Sequence, residues 1–182
     1  DEGMGASAQD SHQILLAGDT RNALLRSHVL RAADSAFRSG AWRDALRYYT
    51  TALDEGAVPA EVLAASEAQA AIAALRALDG DCALDHAHRA IEHGRVTGDL
   101  AAWGTATLVA ARVGIVHGRA PEDSEATLSE FIDAAGTDQP KLSAEAYAAL
   151  TEHAIEHFQL EKASDHATRA RSLLPYITDG QA

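Results

Sequence analysis

The sequence predicts an all-α protein built as a stack of about four helical hairpins. Three observations carry this expectation. First, the phrase Ala83-Leu84-Asp85-His86-Ala87-His88-Arg89-Ala90 returns as Ala163-Ser164-Asp165-His166-Ala167-Thr168-Arg169-Ala170, six identities in eight, 80 residues further on. A weaker copy, Ala45-Leu46-Arg47-Tyr48-Tyr49-Thr50-Thr51-Ala52, lies 38 residues before the first. Alanines at the first, eighth and sometimes fifth positions follow helical spacing, and small residues there let neighbouring helices approach closely. Second, hydrophobic residues make up 47% of the 182 residues but aromatics only 5%, because alanine supplies much of the apolar count. Alanine favours helix over strand. Third, glycine and proline divide the chain into segments of helical length and period.

Taken in order, residues 1–18 are expected to form a flexible N-terminal segment, with a short helix over 11–17 ending at Gly18. The repeat domain spans 19–174, and 175–182 form a tail. The first long helix starts with Asp19 or Thr20 as N-cap and stops at Gly40, its apolar residues Leu24, Leu25, Val29, Ala32, Ala33, Ala36 and Phe37 falling on one face. A second fills 42–54 before Gly56. Pro59 fits the first turn of a third, reaching Leu78, because its missing N–H is not needed there. Asp79-Gly80-Asp81 breaks that helix, and the fourth covers 82–96 before Gly98. The fifth spans 100–116 despite Gly104 and Gly114, each of which costs about 1 kcal/mol relative to alanine. Pro121 opens a sixth, ending near Gly136. Pro140 precedes a seventh over 141–158, and an eighth over 161–174 is stopped by Pro175. Short connections force consecutive helices to pack as antiparallel hairpins. The landmarks Ala45, Ala83, Ala90, Ala163 and Ala170 are expected to be buried at helix contacts.

Charge and cysteine content exclude several functions. A net charge of −12 opposes a general nucleic-acid or anionic-membrane surface. Cys82 is the only cysteine, so no intrachain disulfide or cysteine-based metal knot forms. No apolar run approaches the roughly 20 residues of a bilayer span, and no signal peptide is evident. A cytoplasmic location is the expectation. Because the first residue is Asp1, a larger protein with a catalytic or DNA-binding domain outside this chain is left open.

Gly40-Ala41-Trp42-Arg43-Asp44-Ala45, followed by Tyr49, Ala52 and Leu53, resembles the tetratricopeptide repeat: turn glycine, aromatic, then alanine, aromatic and alanine down the second helix. Ala83 with Ala90 and Ala163 with Ala170 repeat the alanines, and Phe131 and Ala134 fit a third hairpin in which Thr127 replaces one. The landmark spacings of 38, 44 and 36 exceed the 34 of a regular array. The resemblance covers about residues 22–174 and implies a right-handed α-α superhelix, or solenoid. The irregular spacing, with phrases such as Leu30-Arg31-Ala32-Ala33-Asp34, is also similar to the repeat regions of large actinobacterial LuxR-like transcription regulators. No helix-turn-helix and no phosphate-binding glycine loop accompanies it.

In tetratricopeptide proteins the first helix of each hairpin lines a concave groove. By that resemblance Ser27, Leu30, Asp34, Phe37 and Arg38 face the groove, with Arg31 at its edge. Arg76 and Arg112 occupy comparable late positions in the third and fifth helices, while Glu145, Glu152 and Glu156 make the other end acidic. The partner-binding set is therefore Leu30, Arg31, Asp34, Phe37, Arg38 and Arg76. Lys141 and Lys162 are the only lysines and Asn22 the only asparagine, so the clamp by which chaperone adaptors hold a C-terminal carboxylate is missing. His86 and His166 occupy equivalent places in the doubled phrase. The preferred reading is structural, since what repeats in a stack is usually what holds it together.

These residues point to a non-enzymatic module that binds a protein or peptide segment, without cofactor, direct nucleic-acid contact or membrane insertion; a homodimer is left open. The alternative is a small-molecule sensor with Trp103, Tyr147 and Phe37 near an apolar pocket. A third reading is an all-α metal enzyme centred on His153, His157 and Glu156. Two histidines four apart on one helix can share zinc, but Ala154 replaces the glutamate that a gluzincin-type motif requires after the first histidine. A solvated helix face is preferred.

Overall fold

The computed structural model describes residues 27–56, 58–117 and 121–178. The expected helix over 11–17, the caps Asp19 and Thr20, and Gly118 lie outside the described residues. The described chain is helical, with no strand. α1 covers 27–38. It is followed by α2 (Trp42–Asp54), a 3-10 turn (Ala60–Val62), α3 (Leu63–Arg76), α4 (Gly80–Thr97), α5 (Leu100–His117), α6 (Pro121–Ala135), α7 (Pro140–Glu156), α8 (Leu160–Ser172) and the short α9 (Leu174–Thr178).

Several boundaries follow the local chemistry closely. Asp79, read as part of a helix breaker, caps α4: its Oδ1 accepts from the Cys82 amide at 3.2 Å. Gly80 therefore opens the helix instead of preceding it. Asp99 does the same for α5, accepting from the Ala102 amide at 3.0 Å. Pro140 occupies the first turn of α7, where proline needs no donor. Pro59 instead caps the 3-10 turn, so α3 begins only at Leu63. Pro175 ends α8 but not the helical chain, because it lies in the first turn of α9, which packs against α7. The segment expected to be a tail thus begins as part of the stack.

The turns within hairpins repeat a single geometry. Gly40, Leu78 and Phe158 all have left-handed φ, at 75°, 66° and 58°. After each, the next amide donates back across the helix end: Ala41 to the Ala36 carbonyl at 2.9 Å, Asp79 to Ala74 at 2.9 Å and Gln159 to Ala154 at 2.8 Å. This is the helix stop that glycine fills most easily. Leu78 and Phe158 fill it without that freedom and project outward, 93% and 90% exposed.

Alanine sets the spacing of the core. Ala64, Ala68, Ala71 and Ala74 on α3 meet Ala83, Ala87 and Ala90 on α4 in one buried cluster that continues through Ala106, Val113, Phe131 and Leu150. A smaller cluster joins Ala33 of α1, Ala45 and Tyr49 of α2, and Ala70 and Ala73 of α3. Ala45, Ala83, Ala90 and Ala163 are buried as expected, but Ala170 is only half-buried because α8 has few neighbours beyond α7 and α9. Gly104 permits the closest approach. A Cβ there would stand 2.3 Å from the Phe131 ring.

Consecutive helices pack against each other from α2 to α8, and alternate helices also touch: α3 meets α5, and α5 meets α7. The three alternate helices thereby form one continuous wall.

Candidate ligand-binding groove

The wall of α3, α5 and α7 carries a cavity with a volume of about 610 Å³. Ile72 and Leu75 from α3, Leu108 and Val109 from α5, and Leu142 from α7 give it an apolar floor. Arg76, Arg112 and Lys141 bring positive charge to its edge, and Glu145 and Glu152 bring negative charge. All five charged residues are exposed, and none makes an ion pair among the described residues. The arginines stand on α3 and α5, whereas both glutamates stand on α7. Lys141 stands with the glutamates on α7, so positive charge borders the groove from all three helices and negative charge from α7 alone. Apolar area with a few convergent charges is the usual make-up of a binding cavity.

Sequence reasoning placed Arg76, Arg112, Glu145 and Glu152 on one groove, and the structure brings these four together. It does not bring the α1 residues to them. Phe37 is held edge-on against Trp42 at 5.4 Å and Tyr49 at 6.3 Å. Leu30 packs in the same small cluster. Asp34 accepts a hydrogen bond from the Tyr49 hydroxyl at 2.6 Å, and burial followed by that bond pushes the Tyr49 phenol up from its usual pKa. Arg38 donates to the Asp34 carbonyl at 3.3 Å, and Arg31 donates to the Ser27 carbonyl at 3.2 Å. Of the six residues assigned to the partner site, only Arg76 lines the large cavity. It also borders a shallower cleft of about 310 Å³ against Trp42, Arg43 and Leu78. Glu156, the last residue of α7, does not line the groove.

Lys141 and the apolar floor were missed. Ile72, Leu75 and Arg76 stand three and four apart on one face of α3, a periodic signal hidden among the alanines around it.

The first copy of the doubled phrase joins α4 to α3, the first helix of the wall. His86 is 2% exposed and its Nδ1 donates to Glu67 Oε2 at 2.5 Å; Glu67 is itself 5% exposed. Arg89 Nε lies 3.4 Å from the other Glu67 oxygen. Thr50 Oγ1 stands 3.4 Å from His86 Nε2. One imidazole thereby ties α2, α3 and α4 together, and its buried polar atoms are all engaged. In the second copy His166 lies against the Tyr147 ring, with centroids 6.1 Å apart.

The other candidates are placed as follows. Trp103 is a core residue, edge-on to Phe131 at 5.9 Å with Arg95 over its face. His153 and His157 lie ring against ring at 4.3 Å. His157 Nδ1 donates to the His153 carbonyl at 2.9 Å, and His153 Nε2 is 3.8 Å from Glu125. Among the described residues, no group of three or more histidines, cysteines and carboxylates is placed to hold a metal ion. Cys82 is half-buried, and burial, then Asp79 and Asp85, push its thiol pKa up, away from an activated thiolate. Among the described residues no helix is long and apolar enough to cross a membrane.

No protein-family model matches the chain, and no curated protein matches it.

Proposed function

We propose that this chain is a non-enzymatic binding module, a tetratricopeptide-like solenoid whose groove on α3, α5 and α7 takes a protein or peptide segment. The observation that carries the reading is the 610 Å³ cavity on three alternate helices, where Arg76 and Arg112, without an ion pair among the described residues, flank an apolar floor. Contact between alternate helices is what a solenoid with an inner surface requires, and the repeated turn at Gly40, Leu78 and Phe158 supports equivalent hairpins.

The fitting segment places a carboxylate on the arginines and a leucine- or isoleucine-sized side chain on Ile72, Leu75 and Leu108. A planar guanidinium matches a carboxylate in two-pronged fashion. A basic group on the same segment meets Glu145 and Glu152. With −12 overall, the protein repels acidic partners at a distance, so the attraction is local and weakens with salt. Such a module suits the sensor or scaffold region of a cytoplasmic bacterial regulator, as the LuxR-like resemblance implies.

The small-molecule reading keeps one supporting observation: the cavity volume falls within the roughly 300–1,000 Å³ of small-ligand sites. The test is a synthetic peptide array varying one acidic residue among leucines and isoleucines, followed by calorimetry with the best binder. Arg76→Gln and Arg112→Gln should each weaken binding several-fold without changing the unfolding midpoint. Equal binding by the double variant would remove the groove from the account.

A further inference from the structure

Leu78 holds a conformation that the chain elsewhere gives to glycine. Its φ of 66° is left-handed, the region that Gly40 occupies without strain at the corresponding turn after α1. The leucine side chain finds no cover inside the fold, being 93% exposed. A strained backbone that presents a large apolar side chain to solvent points to a contact made outside the fold.

Leu78 stands on the cleft of about 310 Å³ between the start of α2 and the end of α3. Trp42, half-buried, gives that cleft an aromatic wall, and Phe37 packs edge-on against the indole at 5.4 Å and holds it in place. Arg43 and Arg76 bring two exposed guanidiniums to the same cleft, and neither makes an ion pair among the described residues. Asp44, which also lines it, is engaged by Arg47 at 3.1 Å. The charge left over in the cleft is therefore positive. Arg76 also lines the groove on α3, α5 and α7, so the two cavities meet at one side chain.

We propose that the segment held in the groove continues across Arg76 into this cleft and sets a second apolar side chain against Trp42 and Leu78. This inference rests on the peptide reading of the groove and adds the pattern of the partner. An apolar residue lies in the groove, an acidic residue lies at Arg76, and a further apolar residue lies in the cleft. Each cavity adds an arginine to the shared one, Arg112 in the groove and Arg43 in the cleft. A carboxylate between two apolar anchors meets that charge, whereas a basic residue at the same place would meet three arginines. An indole and a leucine together desolvate the second anchor, as the best-packed contacts of an interface do. A ligand confined to the groove leaves Leu78 uncovered.

The test is calorimetry on the full chain with blocked synthetic peptides. Each carries a leucine and an aspartate, followed across alanine spacers of increasing length by either leucine or alanine, in both chain orders. The expected result is that, at one spacing, the second leucine tightens binding by about tenfold, which is 1.4 kcal/mol. Leu78→Gly should remove most of that gain while keeping or raising the unfolding midpoint. Weaker docking with undiminished stability separates a docking residue from a structural one. Arg112→Gln should weaken the leucine and alanine peptides alike. A second leucine that adds nothing at any spacing overturns this inference alone, since alanine peptides that still depend on Arg112 keep the groove reading. A gain that survives Leu78→Gly overturns it too. Self-association that Leu78→Gly abolishes, with no gain from the second leucine, would make the occupant a second copy and equally overturn it. Absence of saturable binding by every peptide up to about 1 mM overturns the groove reading and this inference together.

Discussion

The phrase in α4 and its near-copy in α8 share six of eight residues yet behave differently. In α4, Ala83, Ala87 and Ala90 are fully buried and His86 is bonded inside the core. In α8, Ala163 alone is buried; Ala167, Ala170 and His166 are half-buried. The reason is position. α4 packs broadly against both α3 and α5, whereas among the described residues α8 packs broadly against α7 alone, with a small contact to the short α9 and the Lys162–Glu125 ion pair to α6 at 3.6 Å. A repeat supplies surfaces suited to helix contact, and the neighbours decide which surfaces are used.

The largest difference should appear at the histidines. His86→Ala leaves the buried Glu67 with the half-exposed Arg89 as its remaining ion-pair partner and should destabilise by about 3 kcal/mol in urea denaturation. His166→Ala removes a half-buried ring with an unbonded nitrogen and should cost under about 1 kcal/mol. Replacing Glu67 and His86 together by leucine should recover much of the loss, because a buried polar pair is often matched by apolar packing. Equal costs at the two histidines would break the comparison. A smaller difference is expected at the last alanine of each copy. Ala90→Leu should overpack and cost about 1–3 kcal/mol, whereas Ala170→Leu should stay within about 0.5 kcal/mol. The smallest effect concerns the turns, where the copies agree. Leu78→Gly and Phe158→Gly should each stabilise by up to about 1 kcal/mol by relieving left-handed backbone strain. Unequal gains in thermal unfolding would show that the turns differ despite their shared hydrogen bonds.

Much of the architecture is legible in the chain because glycine, proline and aspartate punctuate it. Trp42–Asp54 and Pro121–Ala135 follow directly from their flanking residues. The doubled phrase points correctly to helix contacts, since alanine at those positions has little other use. Arg76 and Arg112 can be placed on one groove by counting from the helix ends. The α1 residues mislead because a groove register cannot show that Trp42 and Tyr49 capture Phe37, or that Tyr49 captures Asp34. Glu67 is hidden in an alanine-rich helix, and its role depends on a contact across to α4. The 19-residue interval shared by Glu67–His86 and Tyr147–His166 is the signal that marks it. Ala170 was expected to be buried like Ala90, but a sequence repeat carries no record of where the stack loses its neighbours.

Native-state hydrogen exchange tests most directly whether neighbours, and not the phrase itself, set the role of each copy. Amides of α4 around His86 should exchange only through global unfolding, since α3 and α5 cover both sides. Amides of α8 around His166 should open at a free energy clearly below the global value, by local separation of α8 and α9 from α7. Protection of the α8 amides equal to that of α4 would contradict the account, because the two copies would then be held equally despite their different surroundings.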